Sequence, residues 1–267
     1  MILDEIAAAA KKRTAEDMKK ISYDEMKRQA LAPAENGAFR LPPFAFEQAL
    51  KKEDISFICE VKKASPSKGI IAEDFPYVEI AREYENAGAD CISCLTEPEY
   101  FKGSDRYLAE IKTAVKIPVL RKDFTVNDYQ IYQAKVLGAD CVLLICALLD
   151  TDTLKNYIKI CDTLGLSALV EAHDETEISS AIAAGARIIG VNNRDLKTFT
   201  VDVRNSEKHR KLVPEHILFI AESGIRTAAD IDVLRNANVN GVLIGETLMR
   251  ADNKSKELAK LRGGHRW

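Results

Sequence analysis

The 267-residue sequence predicts one (β/α)8-barrel domain over 1–267, with 1–50 forming an N-terminal helical extension. Three observations lead there. Eight short apolar runs recur along the chain, nearly all of them following a stretch with helical patterning. The helical stretches between them run to about 10–15 residues, the spacing of βαβ units that build a parallel sheet. The runs end in charged or glycine-rich residues, where a packed core would continue apolar. A barrel of about 250 residues with one added segment uses the whole length.

Taken in order, the extension shows helical patterning at 2–20 and 23–31, then a short stretch at 44–50 after Leu41-Pro42-Pro43. Leu3, Ile6 and Ala10 fall on one face of the first stretch, so that helix lies against a larger body. Two readings are open for it, a stabilising appendage or a cover over one barrel end. The strands are expected at 55–62, 89–96, 117–124, 139–149, 166–173, 186–194, 217–224 and 241–246. A weak repeat supports the assignment: Asn86-Ala87-Gly88-Ala89-Asp90-Cys91, Leu137-Gly138-Ala139-Asp140-Cys141 and Ala184-Gly185-Ala186-Arg187-Ile188 each close a helix and open a strand, with glycine suited to the helix C-cap. Asp150, Asp174 and Thr227 supply side-chain oxygens where helices should begin. The last residues, 261–267, read as a frayed tail.

Bulk properties narrow the function. With 38 basic against 41 acidic residues the formal charge is −3, which argues against nucleic acid or a membrane surface as the main partner. No apolar run approaches the roughly 18 residues of a membrane span, and Met1-Ile2-Leu3-Asp4-Glu5 lacks the order of a signal peptide, so a cytoplasmic protein is expected. The six cysteines, Cys59, Cys91, Cys94, Cys141, Cys146 and Cys161, mostly fall in apolar runs and read as buried free thiols. Cys91 and Cys94 have redox or zinc spacing. On a strand, however, their side chains point to opposite faces, and no second cysteine pair completes a metal site. His173 follows Glu171 by two and could share its face, yet a lone histidine reads first as structural.

In such barrels the chemistry sits at the carboxyl ends of the strands. Alternation places Glu60 with Lys62, Lys122 with Leu120 and Phe124, and Asn192 with Arg194. If those faces point inward, Glu60, Lys62, Lys122, Glu171, Arg194 and Glu222 crowd one mouth. Unpaired buried charge is costly, so the cluster needs mutual pairing or a ligand. Rim salt bridges are the bland alternative, though surface pairs contribute little and have no reason to gather there. Ser223-Gly224 and Gly245-Glu246 lead into helices in the last two units, where backbone N–H groups suit a phosphate. Ser65 and Ser67, with Lys62 or Lys63, would close its other side.

Together these motifs resemble the indole-3-glycerol phosphate synthases of tryptophan biosynthesis. The resemblance rests on Cys59-Glu60-Val61-Lys62-Lys63-Ala64-Ser65-Pro66-Ser67, Leu95-Thr96-Glu97-Pro98-Glu99-Tyr100-Phe101-Lys102-Gly103-Ser104, Val119-Leu120-Arg121-Lys122-Asp123-Phe124, Val170-Glu171-Ala172-His173, Gly190-Val191-Asn192-Asn193-Arg194-Asp195-Leu196 and Ala221-Glu222-Ser223-Gly224-Ile225. It runs essentially the whole chain and includes the N-terminal extension. Glu246 departs from it, since some relatives carry serine there; only its backbone N–H is expected to face the phosphate.

The resemblance implies a sugar-phosphate substrate, 1-(2-carboxyphenylamino)-1-deoxyribulose 5-phosphate, and no cofactor or metal. It also leaves room for contact with other tryptophan-pathway enzymes. An aromatic carbon attacks a ketone, so an acid must protonate the carbonyl oxygen, and Lys122 is chosen for it. A carboxylate, Glu171 or Glu60, would stabilise the iminium-like ring until carbon dioxide leaves. Dehydration needs a second acid, Lys62, and a base, Glu60; Lys62 could instead hold the phosphate or the substrate carboxylate. Asn192 and Glu222 are placed for the ribulose hydroxyls, Arg194 for the anthranilate carboxylate, and Phe101 with Phe124 for the aromatic ring, unless both are ordinary core. Two alternatives fit the residues less well. A phosphoribosylanthranilate isomerase gives no reason for two inward lysines among three glutamates, and a silent sugar-phosphate sensor could have lost Lys122 or Glu171.

Overall fold

The structure, a computed structural model, describes residues 2–32, 41–194 and 200–263. Of the tail expected at 261–267, Leu261 is instead the buried last residue of a helix; residues 264–267, like Asp195 and Leu196 of the motif quoted above, lie outside the described residues. Eight parallel strands close into a barrel: β1 Ser56–Val61, β2 Cys91–Leu95, β3 Val119–Lys122, β4 Cys141–Ile145, β5 Ser167–Ala172, β6 Ile188–Asn192, β7 Leu218–Glu222 and β8 Gly241–Ile244. β1 pairs with both β2 and β8, leaving no open edge. Ala64–Ser65 and Gly69–Ile70 form a small antiparallel hairpin after β1.

Helices α1 Ile2–Lys20, α2 Tyr23–Leu31 and α3 Ala45–Ala49 precede the barrel. Around it lie α4 Tyr77–Asn86, α5 Asp105–Ala114, α6 Tyr129–Leu137, α7 Thr151–Leu164, α8 Glu175–Ala184, α9 Arg204–Arg210, α10 Ala228–Asn236, α11 Glu246–Met249 and α12 Lys254–Leu261. Asp150, Asp174 and Thr227 are N-caps, each accepting from a backbone N–H of its first turn. Gly138 and Gly185 are left-handed C-caps, whereas Gly88 sits one residue past the cap Ala87.

Period-two alternation sorts the strand residues into two cores. Ile58, Cys91, Leu120, Cys141, Leu143, Leu169, Ile188, Ile220 and Leu243 fill the barrel, while Val61, Ile92, Cys94, Val142, Val170, Val191 and Phe219 meet the helices. Cys91 and Cys94 therefore do face opposite sides, and all six cysteines are free. Phe46 and Leu50, on and just after α3, join the inner cluster. They close the end of the barrel opposite the charged strand ends, and Glu47 anchors α3 through Arg187 at 2.9 Å.

Several strands are shorter than the apolar runs suggested. In the run 139–149 only Cys141–Ile145 is strand; Leu148 N donates to Ile145 O at 3.0 Å, and the chain turns. Leu149 is apolar because that turn packs into the outer core. The run 186–194 stops at Asn192, whose side-chain oxygen accepts from Arg194 N at 3.0 Å and curls the backbone. The run 217–224 ends at Glu222, because Ser223 and Gly224 take φ of 67° and 80°, outside the β region. Glu246 is the first residue of α11 and no longer part of β8. Apolarity reports burial, and buried turns are as apolar as strands.

Candidate active site

At the carboxyl ends of β3, β5 and β7 the inward positions are Lys122, Glu171 and Glu222. The Lys122 ammonium sits between the two carboxylates, 2.8 Å from Glu171 Oε2 and 3.1 Å from Glu222 Oε2. Asn192 Nδ2 reaches Glu171 Oε1 at 3.3 Å. Lys62 and Glu60, at the end of β1, pair at 2.5 Å. Two glycines make the crowding possible: a Cβ on Gly190 would run into Glu222 Oε1, and one on Gly245 into Glu60 Oε1.

Burial raises the proton affinity of carboxylates and lowers that of amines, so the net direction depends on the neighbours. Burial of Lys122 favours the neutral amine, but Glu171, Glu222 and Glu60 outweigh it and hold the group as an ammonium. Glu171 is buried too, yet Lys122 and His173 pull it well below the usual carboxylate range. Glu222 goes the other way, raised to about 7 by its burial and by Glu171, with Lys122 opposing. Its Oε1 is buried without a hydrogen-bond partner. The three-group cluster thus combines a charged acid, a fixed anion and a carboxyl that titrates near neutrality.

These groups open into a cavity of about 450 Å³. Phe101 and Phe124 form one wall, their ring centres 5.9 Å apart. Phe101 is placed by Glu97, a fully buried carboxylate that accepts from the backbone N–H groups of Glu99, Tyr100 and Phe101 at 2.7–2.9 Å. The extension supplies a further wall, since Ile2, Leu3 and Ile6 line the cavity. Arg13 fastens α1 there with a 2.6 Å bond to Asp123, next to Lys122, and approaches Glu97 at 3.6 Å. Of the two readings of the extension, the cover over the barrel mouth is the one the geometry supports. α2 meanwhile packs on α6, with Tyr23 OH donating to Asp128 at 2.7 Å.

Toward β7 and β8 the cavity is bounded by Ser223, Gly224, Gly245 and Glu246, with Ser65 and Arg194 also on its lining. Gly224 could carry no side chain: its φ is left-handed and a Cβ would collide with Val201. The first turn of α10 is already capped, however. Asp230 accepts from Arg226 N and Thr227 N at 2.9 and 2.8 Å, and Thr227 Oγ1 accepts from Asp230 N at 3.2 Å. The N–H groups of Arg226, Thr227 and Asp230 are thereby occupied. The Glu246 carboxylate is engaged by Arg250 at 3.1 Å and Lys68 at 3.8 Å.

One cavity is lined by Glu60, Lys62, Ser65, Ser67, Phe101, Lys122, Phe124, Glu171, Asn192, Arg194, Glu222, Ser223, Gly224, Gly245 and Glu246, whereas Lys63, the alternative to Lys62, is not on its lining. Missed were Asp123, Glu97 and Arg13; the place of α1 over the mouth was one of the two readings of the extension. Asp123 adjoins Lys122 in a quoted motif, which was a usable signal; Arg13 gave none. Among the described residues no three His, Cys, Asp or Glu side chains gather as metal ligands, and no helix is long and apolar enough to cross a membrane.

Fold and cavity define a (β/α)8-barrel protein with acid–base groups at the carboxyl ends of its strands. A solved 3-hexulose-6-phosphate synthase superposes with a TM-score of 0.61 at 16% identity, covering 79% of this chain and 100% of that one. KGPDC from Streptococcus mutans gives 0.61 at 12%, covering 78% and 96%. At such identities they share the fold alone. The family profile described as indole-3-glycerol phosphate synthase matches residues 3–261. Proteins of that name from Ruminiclostridium cellulolyticum and Endomicrobium trichonymphae are 61% and 54% identical to this chain, covering 98% of it in each case and 99% and 100% of their own lengths. The chain belongs to the indole-3-glycerol phosphate synthase family.

Proposed function

We propose that the chain, with extension and barrel acting as one domain, converts 1-(2-carboxyphenylamino)-1-deoxyribulose 5-phosphate to indole-3-glycerol phosphate, carbon dioxide and water. One observation supports this above the others: the Lys122 ammonium held between Glu171 and Glu222 inside a cavity walled by Phe101 and Phe124. The ring carbon bearing the carboxylate attacks the ketone, and Lys122 gives its proton to the carbonyl oxygen as the bond forms. Positive charge thereby moves from the ammonium to the conjugated ring nitrogen. Glu171 then faces the new cation in place of the old one, so little reorganisation is needed. Loss of carbon dioxide returns an electron pair to the ring and removes the charge.

Dehydration follows. Lys62 protonates the new hydroxyl, which leaves as water, and Glu60 takes the ring-bound hydrogen whose loss completes the indole double bond. Asn192 and Glu222 hold the ribulose hydroxyls, and Arg194 pairs with the anthranilate carboxylate before it departs. Ser65, Ser223, Gly224, Gly245 and the Glu246 N–H hold the phosphate; pairing of the Glu246 carboxylate with Arg250 and Lys68 offsets its repulsion. The chemistry calls for no cofactor. A cytoplasmic location and contact with other tryptophan-pathway enzymes are included on the ground of the family alone.

The test is direct. Adding the carboxyphenylamino-deoxyribulose phosphate should produce indole absorbance, and failure to do so refutes the assignment. The same compound without its phosphate should be turned over very poorly, because binding energy at that remote group holds the ring and ketone in register. Comparable efficiency would remove the phosphate site.

A further inference from the structure

His173 lies just past β5, two residues beyond Glu171, and no step above uses it. Its ring is trapped between two carboxylates. Nδ1 lies 2.9 Å from Glu177 Oε2, and Nε2 lies 3.4 Å from Glu171 Oε1. Glu177, in the first turn of α8, also accepts from His173 N at 2.8 Å and has its own N–H bound to Asp174 at 2.9 Å, so that end of the contact is fixed. A neutral imidazole carries a proton on one nitrogen and a lone pair on the other. Either neutral tautomer aims that lone pair at a carboxylate oxygen. With both nitrogens protonated, Glu177 meets a hydrogen-bond donor and Glu171 a cation at ion-pair distance; Nε2 itself is buried without a hydrogen-bond partner, a further reason for it to carry its proton toward Glu171.

The two oxygens of Glu171 have different partners. Oε2 faces Lys122, which also contacts Glu222, whereas Oε1 faces His173 and Asn192. While Lys122 is an ammonium, Glu171 has two cations beside it. Once Lys122 has given its proton, the substrate's cation is transient and is lost with carbon dioxide, and the imidazolium is the protein's own cation that remains beside Glu171. We infer that His173 is a positioning residue, a doubly protonated imidazole clamped between Glu177 and Glu171 that fixes the Glu171 carboxylate and keeps it ionised while Lys122 is neutral. The inference rests on the roles proposed above for Lys122 and Glu171.

The surroundings agree. Besides Glu171 and Glu177, the titratable groups nearby are Asp174 at the α8 N-cap and the thiol of Cys146 after β4, whose Sγ is 3.5 Å from Glu177 O. Burial by itself would favour neutral His173. The two flanking carboxylates outweigh it and raise the imidazole to about 10. Removing one of two opposite charges beside a carboxylate shifts its protonation by about one to three pH units, each equivalent to tenfold.

Two measurements test the inference. Nitrogen NMR of the full-length protein, with H173Q used to assign the signal, should show His173 doubly protonated through about pH 8, above the ordinary histidine midpoint near 6.5. A midpoint at the ordinary value overturns it, whatever the variants do. In kinetics, H173Q should lower kcat about tenfold or more with KM changed less than about twofold, while H173K, which keeps a cation between the carboxylates, recovers part of the loss. Unchanged kcat in H173Q, or equal impairment of both variants, would make His173 a packing residue. An E171Q variant with full turnover would instead overturn the role of Glu171, and the NMR midpoint distinguishes that case.

Discussion

Replacing Lys122 by methionine tests the catalytic assignment and the electrostatics together. The ammonium is 2.8 Å from Glu171 and 3.1 Å from Glu222, whose side chains are only 6% and 2% exposed. Loss of a general acid typically lowers turnover by about 10²–10⁴. A hundredfold fall in kcat, about 2.7 kcal/mol of barrier, is therefore the least expected. Binding of a phosphate analogue should be nearly intact, because the proposed phosphate contacts lie toward β7 and β8. Stability should fall as well. Two buried carboxylates left without their shared cation cannot both stay ionised, and breaking such a group costs about 3–5 kcal/mol before proton uptake relieves part of it. The double variant K122M/E222Q separates the effects, since removing one carboxylate should restore much of the melting temperature and none of the turnover. Stopped-flow appearance of indole absorbance and a thermal melt read both quantities. Near-normal turnover in K122M would remove Lys122 from the acid role, and an unchanged melt would refute the buried-charge argument.

Glu171→Gln keeps the shape of the side chain and removes the charge facing the cationic ring, so kcat should fall more than affinity; a change confined to KM would make Glu171 a binding residue. Glu222, raised to about 7 by burial and Glu171 against the pull of Lys122, should put a bend near neutrality in a plot of kcat/KM against pH, and Glu222→Gln should abolish it. Because its folded value lies above the ordinary 4.5, its contribution to stability is fully present below about 4.5 and is lost as pH rises through about 7. Glu222→Gln should accordingly flatten the decline in melting temperature across that interval, and a slope equal to wild type would count against the shift. Deleting residues 1–40 leaves Phe46 and Leu50 at the closed end of the barrel, so a folded protein is expected. Losing Ile2, Leu3, Ile6 and the Arg13–Asp123 bond should raise KM more than it lowers kcat. Unchanged kinetics would make the extension an appendage, and complete unfolding would make it part of the core.

The sequence by itself determined the order of elements and which residues of each strand share a face. Both are local properties. A strand alternates with period two whatever lies beside it, so the grouping of Glu60 with Lys62, Lys122 with Leu120 and Asn192 with Arg194 followed from spacing, while barrel closure decided that these faces point inward. Helix ends were legible at Asp150, Asp174 and Thr227 for the same reason, since a cap needs only its own first turn. Strand ends were less so, because Leu149 is apolar through packing and Ser223 leaves the strand through its φ, neither visible in composition.

Only the tertiary structure decided how the charges pair. Closure of the barrel brings Lys122 to Glu222 across 100 positions of sequence, and α1 delivers Arg13 to Asp123 across 110. With those partners fixed, Glu171 is held ionised, Glu222 is raised, and His173, which reads as an isolated histidine in the sequence, becomes part of the charge cluster. At the start of α10 the N–H groups of Arg226, Thr227 and Asp230 are taken up by its own capping box. Pairing of charges depends on distances of a few ångströms between strands far apart in the chain, and electrostatic energy inside a protein changes steeply over such distances. Periodicity gives the face a residue occupies, and packing gives the neighbour it meets there.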